Sequence, residues 1–268
     1  MNLSEALPPE FAEPLGRAAT RLGRFGRQIV WYQDLSSTSD VAASLAERGA
    51  AEGTVVAANA QSAGRGRQGR TWASPPGVGL YVSVVLRPEP HVVPMLTIAA
   101  GVAVAQGIQA ATGLCSQLKW PNDVYVGPRK VAGVLAEAST NAGDSSAIRY
   151  VVLGFGVNVM PATYPPDVAP RATSLEGELG RGVDRGLLLV ECLSALAERY
   201  GDLACGRSAE MIQEWRERAM ATLGRRVRWE AAGVPLEGIA DSIDETGALI
   251  VRNRSGRIRV TSGEVTWL

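Results

Sequence analysis

The sequence predicts an α+β protein, with a mainly antiparallel mixed sheet packed by helices and a small, separate β-barrel at its C-terminal end. Three observations predict it. Apolar runs in residues 130–159 bracket only a short polar turn, so they pair as a hairpin and not through a helical crossover. A long apolar stretch, Met95 to Thr112, lies between Pro94 and Gly113, the Pro-first, Gly-last signature of a helix. After Gly224 the texture changes to short strand-like runs punctuated by Ala232-Gly233, Thr246-Gly247 and Ser255-Gly256.

Taken in order, residues 1–28 carry Arg17, Arg21 and Arg24 at helical spacing, which predicts a short helix with a solvated face. The segment is too short for a helix-turn-helix domain with its linker, so no DNA binding is expected. Ile29 to Tyr32 reads as a strand. Ser39 to Arg48 reads as a helix, with Asp40 in its first turn and Gly49 after its end. Val55 to Ala60 and Leu80 to Arg87 read as strands. Lys130 to Ala138 and Arg149 to Val159 form the hairpin, turning through Asn141 to Ser146. Met160 to Gly182 reads as a long loop rich in Pro and Gly. Helices follow at Leu187 to Leu203 and Ser208 to Leu223, the second with Ser208 as its N-cap. The barrel strands are expected at Arg226–Glu230, Leu236–Ile243, Ala248–Arg252 and Arg257–Thr261. The chain thus divides into an extension (1–28), a main domain (29–223) and the barrel (224–268).

Composition excludes several function classes. Lys+Arg and Asp+Glu balance at 27 each over 268 residues, which gives no global attraction to nucleic acid or an anionic membrane. Cys115, Cys192 and Cys205 are widely spaced and read as reduced thiols of a cytoplasmic protein. The single histidine, His91, sits in a Pro-rich loop, so a multi-histidine metal site is excluded. No secretory signal or transit peptide is read at the start. Gln106 and Gln109 make the Met95–Thr112 stretch a better buried helix than a membrane span.

The most informative stretch is Gln61-Ser62-Ala63-Gly64-Arg65-Gly66-Arg67-Gln68-Gly69-Arg70-Thr71-Trp72. Its glycines permit close backbone approach to a ligand, and its arginines supply forked donors for phosphate or carboxylate. The chemistry implied is polyanion binding. Gly64-x-Gly66-x-x-Gly69 matches a dinucleotide motif, and Gly64 to Thr71 matches a P-loop with Arg for Lys. Both need a helix to start there, and Pro75-Pro76-Gly77 forbids one. The loop is either a solvated or RNA-contacting Arg-Gly segment or a substrate loop folding over an anion. Mutual repulsion of Arg65, Arg67 and Arg70 and the cost of ordering its glycines lead us to expect it to be disordered without ligand and to close when one binds.

A second constellation is Lys119-Trp120-Pro121-Asn122-Asp123 followed by Pro128-Arg129-Lys130-Val131-Ala132-Gly133-Val134-Leu135-Ala136-Glu137. A hairpin here would bring Asn122, Asp123 and Lys130 together. Asp123 suits Mg²⁺ beside phosphate. Lys130 starts an apolar strand and needs an anionic partner, which is either a phosphate, a substrate carboxylate or Asp123 itself.

These segments, with Ser36-Ser37-Thr38-Ser39, Leu153-Gly154-Phe155-Gly156-Val157-Asn158-Val159 and Ala172-Thr173-Ser174-Leu175, stand in an order and spacing that resembles biotin–protein ligases (biotin–[acetyl-CoA-carboxylase] ligases) over about residues 29 to 268. The likeness is to the group without an N-terminal DNA-binding domain. It implies a class II synthetase-like catalytic domain that binds biotin and ATP, with an SH3-like C-terminal barrel. It implies ATP as co-substrate, Mg²⁺, a biotinyl-5′-AMP intermediate, and a biotin carboxyl carrier protein or carboxylase subunit as acceptor. It further implies catalytic roles for Lys130, Arg67, Arg70 and Asp123, the last as the Mg²⁺ ligand. Biotin would be held by Ser37, Thr38, Ser39, Gln61, Gly64, Arg65, Gly66, Arg67, Lys130 and Gly133. The nucleotide would meet Arg67, Arg70, Trp72, Asn122, Lys130 and Asn158. One departure stands out: the family usually reads Ser-Thr-Asn where this chain has Ser37-Thr38-Ser39, and Ser39 lacks the amide's paired donor and acceptor. A lipoate or octanoate ligase shares the implied fold and chemistry, and an RNA-binding module is the alternative from another class.

Overall fold

The structure, a computed structural model, describes residues 4–121, 123–141, 144–220, 222–231, 234–261, 263 and 265–268. The chain opens with helix α1 (Pro9–Arg17) and the single turn α2 (Ala19–Leu22). Pro9 starts α1 where a missing N–H is harmless. Its apolar positions Phe11 and Leu15 lie one turn apart and are buried, as are Leu22 and Phe25 beyond it. Phe11 packs against Trp31 with the rings tilted and their centres 4.9 Å apart. The expected solvated helix is therefore solvated on one side only. Arg17, Arg21 and Arg24 face water and meet Glu13, Glu191 and Glu52, while the opposite face belongs to the main core. Sequence spacing showed the charged face; the apolar face is too short to stand out.

Strand β1 (Ile29–Leu35) leads into α3 (Thr38–Glu47) and returns as β2 (Val55–Gln61), parallel to β1. Then come β3 (Gly79–Leu86), the long helix α4 (Leu96–Thr112), and the strands β4 (Gln117–Lys119), β5 (Asp123–Val126), β6 (Arg129–Asn141) and β7 (Asp144–Asn158). The sheet order is β1-β2-β3-β7-β6-β5-β4, antiparallel except for the first pair. This is the mixed sheet that the hairpin spacing predicts.

Helix α4 is apolar on all sides and is buried on most of them, Ile98, Val102, Ala105 and Ile108 included, which separates it from a membrane span of similar length and composition. Its end is set by Gly113 in the left-handed region at φ 79°. It packs against the sheet and against α6 (Arg185–Ala204). Before α6 the loop 160–182 contains a short helix, α5 (Leu175–Leu179), which loop composition concealed. Ser174 caps it from Gly177 N–H, and Gly180 closes it at φ 67°. Helix α7 (Ser208–Arg218) follows, with Arg207 as the capping residue and no side-chain cap, so Ser208 is the first helical residue and not the N-cap. The opposite face of the sheet carries α3, packed on Tyr32, Val56, Val85 and Val152.

The C-terminal unit is a five-stranded antiparallel sheet of β8 (Arg226–Ala231), β9 (Val234–Ile243), β10 (Leu249–Asn253), β11 (Gly256–Val260) and β12 (Val265–Trp267), ordered β11-β10-β9-β8-β12. Four of these strands were expected; the three-residue β12 and the equally short β4 were too brief to carry a period. Residues 142–143 of the turn expected at Asn141 to Ser146, and the turn expected at 232–233, lie outside the described residues. The unit is fastened to the main body. Its buried residues Val227, Leu249 and Val251 join the main core cluster, and Trp120 Nε1 donates to Gly247 O at 2.8 Å.

Helices α4 and α6 approach closely at Gly107. A Cβ there would lie 2.6 Å from Cys192 Cα and N, backbone atoms that cannot step aside. Gly107→Ala is expected to lower stability by about 1–3 kcal/mol, read as a shifted urea midpoint with an unchanged m-value.

Candidate active site

A cavity of about 340 Å³ opens where α3, the ends of β2 and β3, and strands β5, β6 and β7 converge. Its floor is polar and buried. Thr38 and Ser39, in the first turn of α3, are 4% and 7% exposed, and Ser83 on β3 is inaccessible. Thr38 N donates to Gln61 Oε1 at 2.8 Å, and Thr38 Oγ1 approaches Ser83 Oγ at 2.8 Å. Ser37 stands apart from this floor. It is 1% exposed, caps α3 by accepting from Ser39 N at 3.3 Å, and is not among the lining residues. Burial of so many hydroxyls is tolerable because each is hydrogen-bonded.

The Gly-Arg loop forms a small hairpin at the cavity mouth. Gly66 N donates to Arg70 O and Trp72 N to Gly64 O, both at 2.8 Å, with a 3-10 turn at Arg67–Gly69. Arg65 is ion-paired to Asp40 on α3 at 2.8 Å and to Glu137 on β6, which offsets the repulsion among the arginines. No helix follows the loop, as Pro75-Pro76 requires. Gly64 does not line the cavity. A Cβ on it would lie 2.4 Å from Trp72 O and 2.7 Å from Ser74 Oγ, so its smallness serves the hairpin's closure.

Trp72 is the wall at the hairpin's end. A Cβ on Gly156 would lie 2.5 Å from its Nε1, and one on Gly133 3.1 Å from its ring. These glycines are register partners on β7 and β6, and together they make a slot for the indole. Its Nε1 is buried there without a hydrogen-bond partner. Lys130 Nζ sits 5.2 Å from the Trp72 ring centre and 2.5 Å from Asp123 Oδ1. The two paired side chains are 28% and 23% exposed, neither sealed in the core nor a solvated surface pair. The β5–β6 hairpin creates this pair, as the sequence spacing predicts. Asn122 lies outside the described residues.

Behind Lys130 the chain is clamped. Thr173 N donates to Lys130 O, and Asn158 Nδ2 donates to Thr173 O, each at 2.9 Å. Asn158 lines the cavity, yet its amide is committed to this clamp. Arg67 and Arg70 line the mouth, and Arg67 Nη2 reaches Gly263 O of the C-terminal unit at 3.5 Å. Lys119 lines it too, held between the rings of Tyr125 at 5.3 Å and Trp267 at 5.6 Å. The Tyr125 phenol is pushed up to about 12, first by burial and then by the Asp123 charge, so it stays neutral.

The lining therefore gathers Thr38, Ser39, Gln61, Arg65, Gly66, Arg67, Arg70, Trp72, Asp123, Lys130, Gly133 and Asn158 from the expected set. Sequence reasoning missed Ser83, Tyr164, Arg171 and Val265, and gave Lys119 a place in the second constellation but no role. The one local signal for Ser83 is that it is a polar residue in an otherwise apolar strand. His91 is exposed and lies outside the lining. Among the described residues no three metal-binding side chains cluster.

A polar floor, an aromatic wall and a mouth rich in cations suit a ligand with an uncharged polar head and an anionic tail. Comparison with known proteins agrees. A family model described as biotin/lipoate A/B protein ligase matches residues 31–158, and one described as biotin protein ligase C terminal domain matches 222–266. The bifunctional ligase/repressor BirA of Bacillus subtilis is 32% identical over 262 residues, 96% of this chain and 79% of that protein. The biotin--[acetyl-CoA-carboxylase] ligase of Mycobacterium tuberculosis is 36% identical over 257 residues, 90% of each. Among solved structures, the biotin protein ligase from Aquifex aeolicus in complex with biotin and ATP aligns with a TM-score of 0.79 at 28% identity, covering 90% of this chain and 99% of that one.

Gly156→Ala should displace the indole from its slot. The expected result is an altered tryptophan emission and a loss of nucleotide binding of about tenfold or more, with far-UV circular dichroism retained; unchanged emission would show that the slot does not hold Trp72.

Proposed function

The chain belongs to the biotin/lipoate A/B protein ligase family, and we infer from that premise how its own residues carry out ATP-dependent biotinylation. The observation that carries the assignment of roles is the placement of Lys130 over Trp72, between the hydroxyl floor and the arginine mouth. A carboxylate is a poor acyl donor and needs activation. Biotin's carboxylate oxygen attacks the α-phosphate of ATP, forming the acyl–phosphate bond as pyrophosphate leaves. The amine of an acceptor lysine then attacks the acyl carbon, loses a proton, and AMP leaves with the bonding electrons.

In our reading, Thr38, Ser39 and Gln61 hold the head group, and Arg65 and Gly66 close the hairpin over it. Ser37 acts through the helix cap it provides, since it is buried and lies outside the cavity lining. Lys130 exchanges Asp123 for the reacting carboxylate and α-phosphate and stabilises the charge that builds there. One such charge at ~4 Å contributes roughly 4 kcal/mol at an effective dielectric of ~20, before desolvation. Arg67 and Arg70 neutralise the phosphates, with Trp72 walling the nucleotide and Asn158 shaping its side of the cavity.

Asp123 is the one carboxylate among the described lining residues. That fits Mg²⁺, which takes one or two carboxylates together with substrate phosphates and water. Bound there, the ion would screen phosphate charge. The acceptor we propose is the biotin-accepting lysine of a carboxylase carrier domain, in line with the name of the Mycobacterium tuberculosis relative. We place the enzyme in the cytoplasm, where exposed free thiols such as Cys115 and Cys205 stay reduced. We divide it into a catalytic domain at 29–223 and a C-terminal domain at 224–268.

The test is ATP–pyrophosphate exchange with Mg²⁺, run with biotin, lipoate and octanoate. Biotin alone should support exchange, and Lys130→Ala should slow it by about 100-fold or more. Exchange with a lipoyl-type acid instead would keep the mechanism and move the substrate. Asp123→Asn should raise the Mg²⁺ concentration needed for half-maximal exchange, while the KM for biotin stays near its original value.

A further inference from the structure

Ser83 enters none of the roles above, yet its hydroxyl is the junction of a hydrogen-bond chain whose direction can be deduced. The Thr38 amide can only donate, so the Gln61 atom that it meets at 2.8 Å is the carbonyl oxygen. That oxygen carries no proton, so the Thr38 hydroxyl, 3.1 Å away, donates to it. A hydroxyl has one proton. The 2.8 Å contact between Thr38 Oγ1 and Ser83 Oγ is therefore donated by Ser83. By the same count the 3.2 Å contact between Ser83 Oγ and Ser39 Oγ is donated by Ser39. At the far end, Gln61 Nε2 donates to Ser74 Oγ at 2.7 Å, and Ser74 donates to Trp72 O at 3.1 Å. The protons all run from Ser39 inward. Ser39 lines the cavity with lone pairs and no proton to offer. Gly154 leaves room for this: a Cβ there would lie 3.1 Å from Ser39 Oγ and 3.3 Å from Ser83 Oγ.

We propose that Ser83 is a positioning residue for substrate specificity: by accepting the hydrogen bond that Ser39 donates it makes Ser39 an obligate acceptor for an N–H of the bound head group. A cyclic urea presents such an N–H; a dithiolane or an alkyl chain does not. The hydroxyl pair thereby supplies the acceptor half of what an amide side chain at position 39 would offer. The proposal rests on the biotin reading of the cavity.

The probes are biotin and the two isosteric carbamates in which one ureido N–H is replaced by a ring oxygen, each scored by pyrophosphate exchange and by calorimetry. In the intact protein one carbamate should bind about tenfold or more weakly than biotin, because two acceptors then face each other. In Ser83→Ala the Ser39 hydroxyl is released and can donate to the ring oxygen. The penalty should shrink to about threefold or less, with the KM for ATP little moved. Ser39→Ala removes the acceptor itself and should shrink the penalty likewise, which serves if the buried Ser83 variant does not fold. A penalty equal to that of the intact protein in either variant overturns the role of Ser83. Absence of any biotin-dependent exchange in the intact protein would overturn the biotin reading, and this proposal with it.

Discussion

Gly133 and Gly156 face one another across β6 and β7, and the indole of Trp72 lies against both: a Cβ on Gly156 would collide with it, and one on Gly133 would press on its ring. Much of the cavity depends on that contact. It anchors the end of the Gly-Arg hairpin to the sheet and gives the Lys130 ammonium an aromatic face to rest on. A rigid sheet is a better support for such a site than a loop alone, since strand register holds both glycines against a single ring.

Charge is handled locally throughout. The chain is neutral overall, and the described arginines at the surface are largely matched by carboxylates drawn from distant segments, as with Arg21 and Glu191, or Arg185 and Glu10. Such exposed pairs add little stability individually. Their value lies in geometry: the Arg65 contacts with Asp40 and Glu137 tie the hairpin to α3 on one side and to β6 on the other. The C-terminal sheet contributes similarly. Through Gly263, Val265 and Trp267 it reaches Arg67, the cavity lining and Lys119, so the two parts of the chain share one site.

Several features were hidden from sequence reading for identifiable reasons. Helix α5 is a five-residue element inside a Pro/Gly-rich loop, and β4 and β12 are three residues each, too short for any period to show. The N-terminal helices read as solvated because arginines are conspicuous, whereas Phe11, Leu15, Leu22 and Phe25 become a core face only once α6 is there to receive them. Ser83 is a single hydroxyl in the run Gly79–Leu86, and its partners come from positions 38 and 39, about 45 residues earlier.

The sequence by itself determined the α+β class, the strand hairpin, the buried long helix and the list of residues with the right chemistry. Those follow from period, from Pro and Gly placement and from the ordered motifs, all of which are local. Tertiary structure alone decided which of those residues meet. It committed Ser37 to a helix cap and Asn158 to a backbone clamp, paired Lys130 with Asp123, and seated Trp72 on two glycines. The physical reason is range. A hydrogen bond or a steric slot is settled over a few ångströms of space, and strand pairing is what brings residues tens of positions apart within that distance.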